Sequence, residues 1–349
     1  MRLEEVKQKI QSPNEQAKEI CKKRWDSIAK PLHSLGKLED AFVKIAGITG
    51  SSQISLRKKA LVVMCADNGV VEEGVTQTGQ EVTAIVTENF LKKQATASLL
   101  CEAAGVDIVP VDIGVAVDTS VINRKIAYGT KNMTKEPAMS RAQAVEAIET
   151  GISMAEELKE QGYQILATGE MGNGNTTTSS AVASVLMGLP AEEVTGRGAG
   201  LSSEGLGRKV AAIKKAIQVN RPDPRDPVDV LAKVGGLDLA GLTGVFLGGA
   251  ACKIPVVIDG FISAVAALCA VSICPQAREY ILASHVSKEP AACQVLEKLG
   301  LDAMLHCDMC LGEGTGAVML FPVLSMAEKV YNGMSTFQDI QMEGYKPLD

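Results

Sequence analysis

The first 50 residues carry apolar positions at helical spacing. Asn14 to Ala29 and Lys37 to Ala46 show this spacing, and Ser12-Pro13 separates them from a shorter opening segment. The pattern therefore predicts that the chain begins with helices.

Beyond residue 50, short runs of apolar and β-branched residues alternate with longer helical stretches. Near-continuous apolar strands separated by helices are typical of a parallel sheet that is covered on both faces. The pattern predicts an α/β, Rossmann-like fold with right-handed crossovers. The strand candidates are Leu61–Cys65, Val106–Val111, Gln164–Ala167 and Val256–Ile258, with weaker runs at Tyr280–Leu282 and Ala303–Leu305.

Four acidic residues follow predicted strands, namely Asp67, Asp112, Glu170 and Asp259. Ligands of open parallel sheets bind just beyond the carboxyl ends of the strands, so these side chains are expected to crowd one crevice. The alternative is that such an acid caps the next helix. We favour the cap for Asp112 and a functional role for Glu170, because Glu170 has glycine neighbours.

Two glutamates lie in glycine-rich turns that are each predicted to open a helix. Gly169–Thr177 contains Glu170, and Leu311–Gly316 contains Glu313. Glycine permits positive φ and close approach of the backbone to a ligand, and a helix N-terminus attracts an anion. A carboxylate beside an anion site suits a substrate that also carries a cation or a proton to be lost. The turns therefore predict an enzyme for a phosphorylated small molecule, with glutamate doing the proton chemistry.

Composition excludes several other classes of function. The chain has 349 residues, 46% hydrophobic residues, only 3% aromatic residues and a net charge of -6. Few aromatics argue against a stacking surface for single-stranded nucleic acid, and the negative charge argues against a polyanionic partner. No apolar run is long enough for a membrane span, and the charged N-terminus does not resemble a signal peptide. These features predict a cytoplasmic enzyme that binds neither nucleic acid nor membrane.

The nine cysteines are an odd number and are scattered through apolar segments. Buried free thiols are therefore the expected state. Cys307 and Cys310 form one C-x-x-C pair, which is weak evidence for a metal or redox site because a structural zinc site usually needs a second pair. We favour ordinary packing and predict no metal site.

Several motifs occur together in an order that resembles the nicotinate-nucleotide–dimethylbenzimidazole phosphoribosyltransferase (CobT-type) family. The combination is specific, although each glycine motif alone is weak. The resemblance extends from about Ser34 to about Leu324. The motifs are Gly169–Thr177, Gly196–Leu201, Val234–Gly236, Pro255–Ile262, Ala283–Pro290 and Leu311–Ala317.

The resemblance implies both a reaction and an architecture. The family takes nicotinate mononucleotide and a cobamide lower-ligand base, usually 5,6-dimethylbenzimidazole, releases nicotinate and forms the α-ribotide. It also implies a dimer and no required metal or redox cofactor. The implied small helical domain is discontinuous, comprising residues 1–50 and 325–349, and residues 51–324 form the large catalytic α/β domain.

The two glutamates suit this chemistry. Nicotinate is a cationic leaving group on the ribosyl carbon, so its departure needs no acid, and nearby carboxylates stabilise the oxocarbenium-like carbon. The incoming base must lose a proton, for which a glutamate is a natural acceptor. The resemblance implies that Glu313 is this general base. Glu170 matches the second acid, with a supporting role in charge stabilisation or in ordering a water or a ribose hydroxyl.

The resemblance also implies binding residues. Lys209 alone would be a solvated lysine in the common case, and Ser287 could instead cap a helix that begins near Lys288. His285 is more simply explained by packing. For Met171 and Leu311 two explanations are equally good, namely packing in the core and a place on the wall of the base pocket. The implied nucleotide and phosphate residues are Gly172, Asn175, Thr176, Lys209, Asp259, Ser287 and Gly314; the implied base-pocket residues are Thr76, Met171 and Leu311.

The chain departs from the family pattern at positions that leave both glutamates and the lysine in place. The reaction is therefore expected to be retained, whereas the accepted base is open. The departures are Leu32–Gly36, Asn68, the loop Thr76–Gln80, Lys93-Gln94, Ser202-Ser203 and Cys310.

Three hypotheses stay open at this point. The first is a phosphoribosyltransferase for benzimidazole-type bases. The second is the same chemistry on phenol or p-cresol, with the chain paired to a second homologous subunit. The third is a non-catalytic partner that only binds nucleotide. A dinucleotide-binding protein is less favoured, since the first strand is followed by Ala66–Val70 and not by G-x-G-x-x-G.

Overall fold

The computed structural model describes residues 1–346 and contains one parallel six-stranded sheet with the strand order β3-β2-β1-β4-β5-β6. The predicted parallel α/β architecture is confirmed. Strand order reverses between β1 and β4, and in such sheets the crevice beyond this reversal is where ligands bind. The strands are β1 (Lys59–Ala66), β2 (Asp107–Gly114), β3 (Ile122–Asn123), β4 (Ile165–Met171), β5 (Val256–Ile258) and β6 (Ile281–Ala283).

Helices lie against both faces of the sheet, as predicted. Short 3₁₀ helices also span Gly69–Glu73 and Pro275–Tyr280. The α-helices are α1 (Leu3–Lys9), α2 (Glu15–Ser27), α3 (Lys37–Thr49), α4 (Glu81–Leu91), α5 (Thr96–Ala104), α6 (Arg141–Glu160), α7 (Asn175–Met187), α8 (Ala191–Val194), α9 (Ser203–Asn220), α10 (Pro227–Val234), α11 (Leu237–Ala251), α12 (Phe261–Ile273), α13 (Ala292–Leu299) and α14 (Thr315–Gly333).

Strand β1 shows why the sheet is covered on both faces. Every residue of β1 is buried. Val62 and Met64 belong to one hydrophobic core, while Leu61 and Val63 belong to the other. Alternate side chains of a strand point to opposite faces, so an all-apolar strand requires an apolar layer on each side.

Glycines bring α6 and α11 into close contact on one side of the sheet. A Cβ atom on Gly151 would lie 1.9 Å from the carbonyl oxygen of Gly241, and one on Gly244 would lie 1.9 Å from that of Ile148. All residues of α11 are buried. This contact fixes the start of α11, which lies beside the candidate site.

The N-terminal helices pack against the C-terminal helix α14 through an aromatic cluster. Trp25 of α2 lies 5.7 Å from Phe42 of α3 and 4.9 Å from Tyr331 of α14 between ring centroids. The helices predicted for the first 50 residues are confirmed. The division into a domain of residues 1–50 and 325–349 and a domain of residues 51–324 stays a prediction, and its residues 347–349 lie outside the described range.

The strand predicted at Ala303–Leu305 is wrong. Leu305 forms only an isolated bridge with His285. The N–H groups of Met304 and Leu305 both donate to the carbonyl oxygen of Ser284, which a regular ladder does not allow. The sheet gains instead the two-residue edge strand β3, which is too short and too exposed to show a pattern in the sequence.

Candidate active site

A cavity of about 360 Å³ lies beyond the carboxyl end of β4, next to the reversal in strand order. Its wall combines the starts of α7 and α12 and part of α4 with three loops, around residues 75–78, 197–201 and 285–289, and with the turn before α14. Two of the predicted site residues, Lys209 and Gly314, are not on the wall. The predicted residues on the wall are Thr76, Glu170, Met171, Gly172, Asn175, Thr176, Asp259, Ser287, Leu311 and Glu313.

The two glycine–glutamate turns interlock at this cavity. A Cβ atom on Gly169 would lie 2.5 Å from the carbonyl oxygen of Glu313, and one on Gly312 would lie 2.5 Å from Oε1 of Glu170. Each turn thus needs a glycine because the other turn is so close. The glycines that the sequence suggested for ligand approach also serve this contact between the two turns.

Glu313 has a strained backbone between two glycines. Its φ is 60°, and Gly312 and Gly314 have φ of 91° and 89°. A non-glycine residue in this region costs free energy and is often found at functional sites. The Glu313 Oε2 atom accepts a hydrogen bond of 3.0 Å from the Ala97 N–H at the start of α5. Burial raises the pKa of Glu313, which makes it a better proton acceptor than a solvated glutamate.

Glu170 is buried among other carboxylates. Its Oε2 atom accepts a hydrogen bond from the Asn175 side-chain amide, which also donates to Asp238 Oδ2 at 3.1 Å. Burial and the neighbouring charge of Asp238 raise the pKa of Glu170 to about 8. Sequence analysis missed Asp238, because it follows the Gly235-Gly236 pair and not a strand.

Asp259 fastens the N-terminus of α14. Its carboxylate accepts hydrogen bonds from the N–H groups of Gly314 at 3.2 Å, Gly316 at 2.7 Å and Ala317 at 3.1 Å. Burial nevertheless raises the pKa of Asp259 to about 6. The expectation that this helix end presents free N–H groups to a ligand anion is therefore wrong for these three donors. Contact of Asp259 itself with the nucleotide stays a prediction.

Lys209 is fully buried on α9 behind the start of α7. Its Nζ atom donates to Thr176 Oγ1 at 2.8 Å and to the Gly196 carbonyl oxygen at 3.1 Å. Burial lowers the pKa of Lys209 to about 8, while the charge of Glu289 opposes this shift. The alternative of a solvated lysine is wrong, because the side chain is fully buried and its ammonium group is hydrogen-bonded to α7 and to the loop at Gly196.

The loop before α9 adds a cation that sequence analysis missed. Arg197 lines the cavity and donates to the Leu201 carbonyl oxygen at 2.7 Å and to Ser203 Oγ at 3.0 Å. Glu289 lies on the same wall, and its Oε1 atom accepts a hydrogen bond of 3.1 Å from the Gly198 N–H. The motif Gly196–Leu201 contains this arginine, but the resemblance by itself implies no role for it.

Ser287 and His285 are both buried on the cavity wall. Ser287 does not cap a helix at Lys288, because α13 begins only at Ala292; its hydroxyl accepts instead a long bond of 3.4 Å from the Glu289 N–H. His285 packs against Gly316, and burial lowers its pKa. These contacts agree with the packing role expected for His285.

Asp67 and Asp112 do not reach the cavity wall. Asp112 accepts a hydrogen bond from the Val115 N–H at 2.9 Å and forms an ion pair with Lys125 at 3.0 Å. It caps no helix, since the next helix, α6, has Ser140 as its N-cap. The expectation that all four strand-end acids share one crevice is therefore wrong for these two, whose side chains hold the loop that follows β2.

The loop that precedes α4 contains Thr76, one of the predicted base-pocket residues. The Asn173 amide donates to the carbonyl oxygens of Thr78 and Gly79, both at 2.7 Å, and Gln77 donates to the Ala199 carbonyl oxygen at 3.1 Å. This loop therefore bridges the turn before α7 and the loop before α9. Leu311 remains half-exposed at the cavity mouth, which is not the environment of a core residue.

The departures from the family pattern have different environments. Asn68 is buried and donates to the Asn173 carbonyl oxygen at 3.4 Å. Ser202 is the N-cap of α9 and accepts from the Gly205 N–H at 3.1 Å. Cys310 lies on the cavity wall, while Lys93 and Gln94 are exposed.

All nine cysteines are free thiols, as predicted, but their burial is mixed. Cys293, Cys307 and Cys310 are exposed, so the expectation of buried thiols is wrong for these three. They lie in or near surface loops, which apolar context in the sequence does not reveal. Among residues 1–346, no group of three or more His, Cys, Asp or Glu side chains is arranged to hold a metal ion. Within the same range, every helix is too short or too polar to cross a membrane.

Comparison with known proteins identifies the family of this chain. A family model described as "Phosphoribosyltransferase" matches residues 10–342. Two relatives are named nicotinate-nucleotide–dimethylbenzimidazole phosphoribosyltransferase. The relative from Acetivibrio thermocellus is 52% identical over 332 residues, 94% of this chain and 95% of its own. The relative from Ruminiclostridium cellulolyticum is 51% identical over 352 residues, with all of both chains covered.

The fold agrees with a solved structure as well. The crystal structure of CobT from Thermus thermophilus superimposes with a TM-score of 0.89 at 38% identity, covering 94% of this chain and 99% of that one. The chain belongs to the nicotinate-nucleotide–dimethylbenzimidazole phosphoribosyltransferase family.

Proposed function

We propose that this chain transfers the 5-phosphoribosyl group of nicotinate mononucleotide to a cobamide lower-ligand base of the 5,6-dimethylbenzimidazole type. Nicotinate is released and an α-ribotide forms. The observation that carries the proposal is the position of the Glu313 carboxylate on the wall of the same cavity as the start of α7. A carboxylate that can remove a proton from the acceptor and a helix end that can bind an anion thus share one cavity.

The phosphate is assigned to the α7 end of the cavity. Asn175 and Thr176 begin α7 there, and the positive end of the helix dipole favours an anion. Lys209 adds positive charge from behind Thr176, and Arg197 adds it from the adjacent loop. Gly172 and Ser287 complete the assigned phosphate and nucleotide contacts, since both lie on the wall.

The reaction exchanges one bond at the ribosyl carbon for another. The bond to the nicotinate nitrogen breaks, and its electron pair leaves with nicotinate. An azole nitrogen of the acceptor forms the new bond, and the proton on its other nitrogen passes to Glu313. Glu170 and Asp259 lie on the same wall, where carboxyl oxygens interact favourably with the developing positive charge.

The acceptor is assigned to the end of the cavity formed by Thr76, Met171 and Leu311. Val82 and Val86 of α4 add apolar surface there, which suits a flat aromatic ring. Both a benzimidazole and a phenol have such a ring, so these two acceptors are the outcomes that the experiment separates. For a phenol, the same Glu313 would remove the hydroxyl proton.

Other features stay predictions from the sequence. These are the cytoplasmic location, the dimer and its possible formation with a second homologous chain. No cofactor is assigned to the reaction. A non-catalytic role is less favoured, because Glu170, Lys209 and Glu313 are all retained around one cavity.

The test is release of nicotinate by the purified chain alone. Nicotinate mononucleotide is supplied with 5,6-dimethylbenzimidazole, adenine, phenol or p-cresol, and products are identified by mass. An α-ribotide of the benzimidazole supports the proposal, and a phenolic product supports the alternative acceptor. Binding of nicotinate mononucleotide without release of nicotinate in any mixture would contradict catalysis by this chain alone and would call for a search for a second subunit.

A further inference from the structure

Asp238 is a buried carboxylate directly behind the active-site cavity. It is fully buried at the start of α11 and is not part of the cavity wall. Its Oδ1 atom accepts a hydrogen bond of 2.9 Å from the Leu239 N–H. A Cβ atom on Gly236 would lie 2.4 Å from Oδ1, so the glycine makes space for this carboxylate.

One amide nitrogen joins Asp238 to Glu170. Asn175 Nδ2 donates to Oε2 of Glu170 and, at 3.1 Å, to Oδ2 of Asp238. An amide nitrogen has two hydrogens, so this geometry uses both. Oε1 of Glu170 is the oxygen nearest to Gly312, whose turn lines the cavity. Asn175 therefore orients Glu170 while Asp238 orients Asn175.

The pair lacks a cationic partner. Among residues 1–346, no lysine, arginine or histidine forms an ion pair with Glu170 or Asp238. Ionising two carboxyls that are buried close together costs more free energy than ionising two solvated ones, because each negative charge disfavours the charged form of the other. A proton held by one of the two carboxyls removes this cost.

We propose that Asp238 is a positioning residue which, through Asn175, holds Glu170 in place, and that the Glu170–Asp238 pair retains one proton in the free enzyme. Glu170 then presents its carboxyl group to the substrate as a hydrogen-bond donor, with a ribose hydroxyl oxygen as the acceptor. This inference rests on the proposed function for its substrate, and it assigns Glu170 the neutral form in place of a second anion.

The surrounding negative charges also favour the protonated form of Glu170 and Asp238. Asp259 after β5 and Glu313 before α14 both add negative charge near Glu170, and Asp67 after β1 adds it near Asp238. The other titratable groups on the cavity wall are His285, Glu289, Arg197 and Cys310. Burial and the charge of Asp238 raise the pKa of Glu170 to about 8, and burial raises that of Asp238 to about 6. Both oxygens of Asp238 accept hydrogen bonds, whereas Glu170 accepts one at Oε2 and, among the described residues, none at Oε1. The proton is therefore assigned to Oε1 of Glu170.

The first test compares Glu170→Gln with the wild type across pH. A glutamine amide donates a hydrogen bond as a protonated carboxyl does, so kcat should fall no more than tenfold and should lose its decline above about pH 8. A loss of about 100-fold, the scale of a missing charged catalytic group, with the alkaline decline retained would overturn the proposal.

The second test uses Asp238→Asn, with Asp112→Asn as a matched buried control away from the cavity. Removing the charge of Asp238 should move the alkaline decline of kcat to lower pH by on the order of one unit, with little change in KM. Asp112→Asn should leave the profile in place. A profile in Asp238→Asn identical to that of the wild type would reject the role of Asp238.

A third measurement does not depend on turnover. Infrared difference spectra of the free protein should show a protonated-carboxyl band that disappears as pH rises through about 8, and that is absent from Glu170→Gln. Absence of this band in the wild type would overturn the shared proton even if the enzyme is active. A band without any phosphoribosyl transfer would leave the shared proton standing and reject the proposed function instead.

Discussion

The two glycine–glutamate turns look alike in the sequence but meet different neighbours in the fold. Glu170 lies near the end of β4, beside Asn175 and Asp238, whereas Glu313 contacts the start of α5 through the Ala97 N–H. Both carboxyls have raised pKa values. Only Glu170 has another carboxylate held by the same amide. On the proposed roles, one sequence pattern therefore produces a hydrogen-bond donor in one turn and a proton acceptor in the other.

The helices that follow the two turns also have different neighbours at their N-termini. The N-terminus of α14 is occupied by the Asp259 carboxylate, which accepts hydrogen bonds from three N–H groups there. The N-terminus of α7 lies on the cavity wall with Lys209 behind it. A helix end attracts an anion in both cases, but a side chain supplies that anion at α14. The phosphate is therefore assigned to α7 alone.

The largest expected effect comes from Glu313→Gln. Removing the general base should lower kcat by roughly 100-fold or more, while the fold and nicotinate mononucleotide binding remain. Turnover, calorimetric binding and thermal unfolding measure the three quantities. Glu146→Gln, on the exposed surface of α6, is the control. A near-normal rate in Glu313→Gln would remove Glu313 from the mechanism.

Gly169→Ala tests the contact between the two turns. The added Cβ would meet the Glu313 carbonyl oxygen at 2.5 Å, so the Glu313 turn must shift. Misplacement of a catalytic group by about 1 Å costs up to roughly 100-fold, and we expect kcat to fall roughly 10- to 100-fold. Gly207→Ala in α9 is the control, because its Cβ would meet no atom within 4 Å. Equal rates in the two variants would show that the interlock has no catalytic role.

Lys209→Ala sharpens the assignment of the phosphate to α7. Loss of this charge should weaken nicotinate mononucleotide binding by about tenfold, with a smaller effect on kcat. Lys209→Met keeps most of the buried volume and separates loss of charge from loss of packing. Lys214→Ala, an exposed lysine on the same helix, is the control for both. Unchanged nucleotide affinity in Lys209→Met would reject the phosphate role.

The last expected effect is on stability and not on turnover or binding. Because the pKa of Glu170 is raised to about 8 in the fold from 4.5, the folded state binds its proton more tightly than the unfolded state does. The free energy of unfolding should therefore fall as pH rises from about 4.5 to about 8, by at most about 1.4 kcal/mol per pH unit for this group. Urea unfolding at several pH values should show a shallower slope in Glu170→Gln. Identical slopes would contradict a raised pKa for Glu170.

The fold could be predicted from the sequence wherever a strand is buried along its whole length. Val62 and Val63 sit in a run that is apolar throughout, so the central strand of a two-sided sheet was predictable. Ala303–Leu305 was not, since three apolar residues do not reveal whether a neighbouring backbone can pair along their length. The site shows a similar division: Glu170 and Glu313 stood out by their glycine neighbours and their positions at predicted helix starts. Arg197 also lies between glycines, but its motif gave no role for it, and Asp238 follows no predicted strand.

By itself, the sequence determined the alternation of strands and helices, the two glutamate turns and the resemblance to a family, because these depend on local composition and spacing. The tertiary structure alone decided which charges meet. It placed the Asp259 carboxylate at the N-terminus of α14, Lys209 behind Thr176, and Asp238 on the same side-chain amide as Glu170. The physical reason is that the protonation state and role of a carboxyl depend on burial and on charges a few ångströms away, which here come from segments distant in the chain.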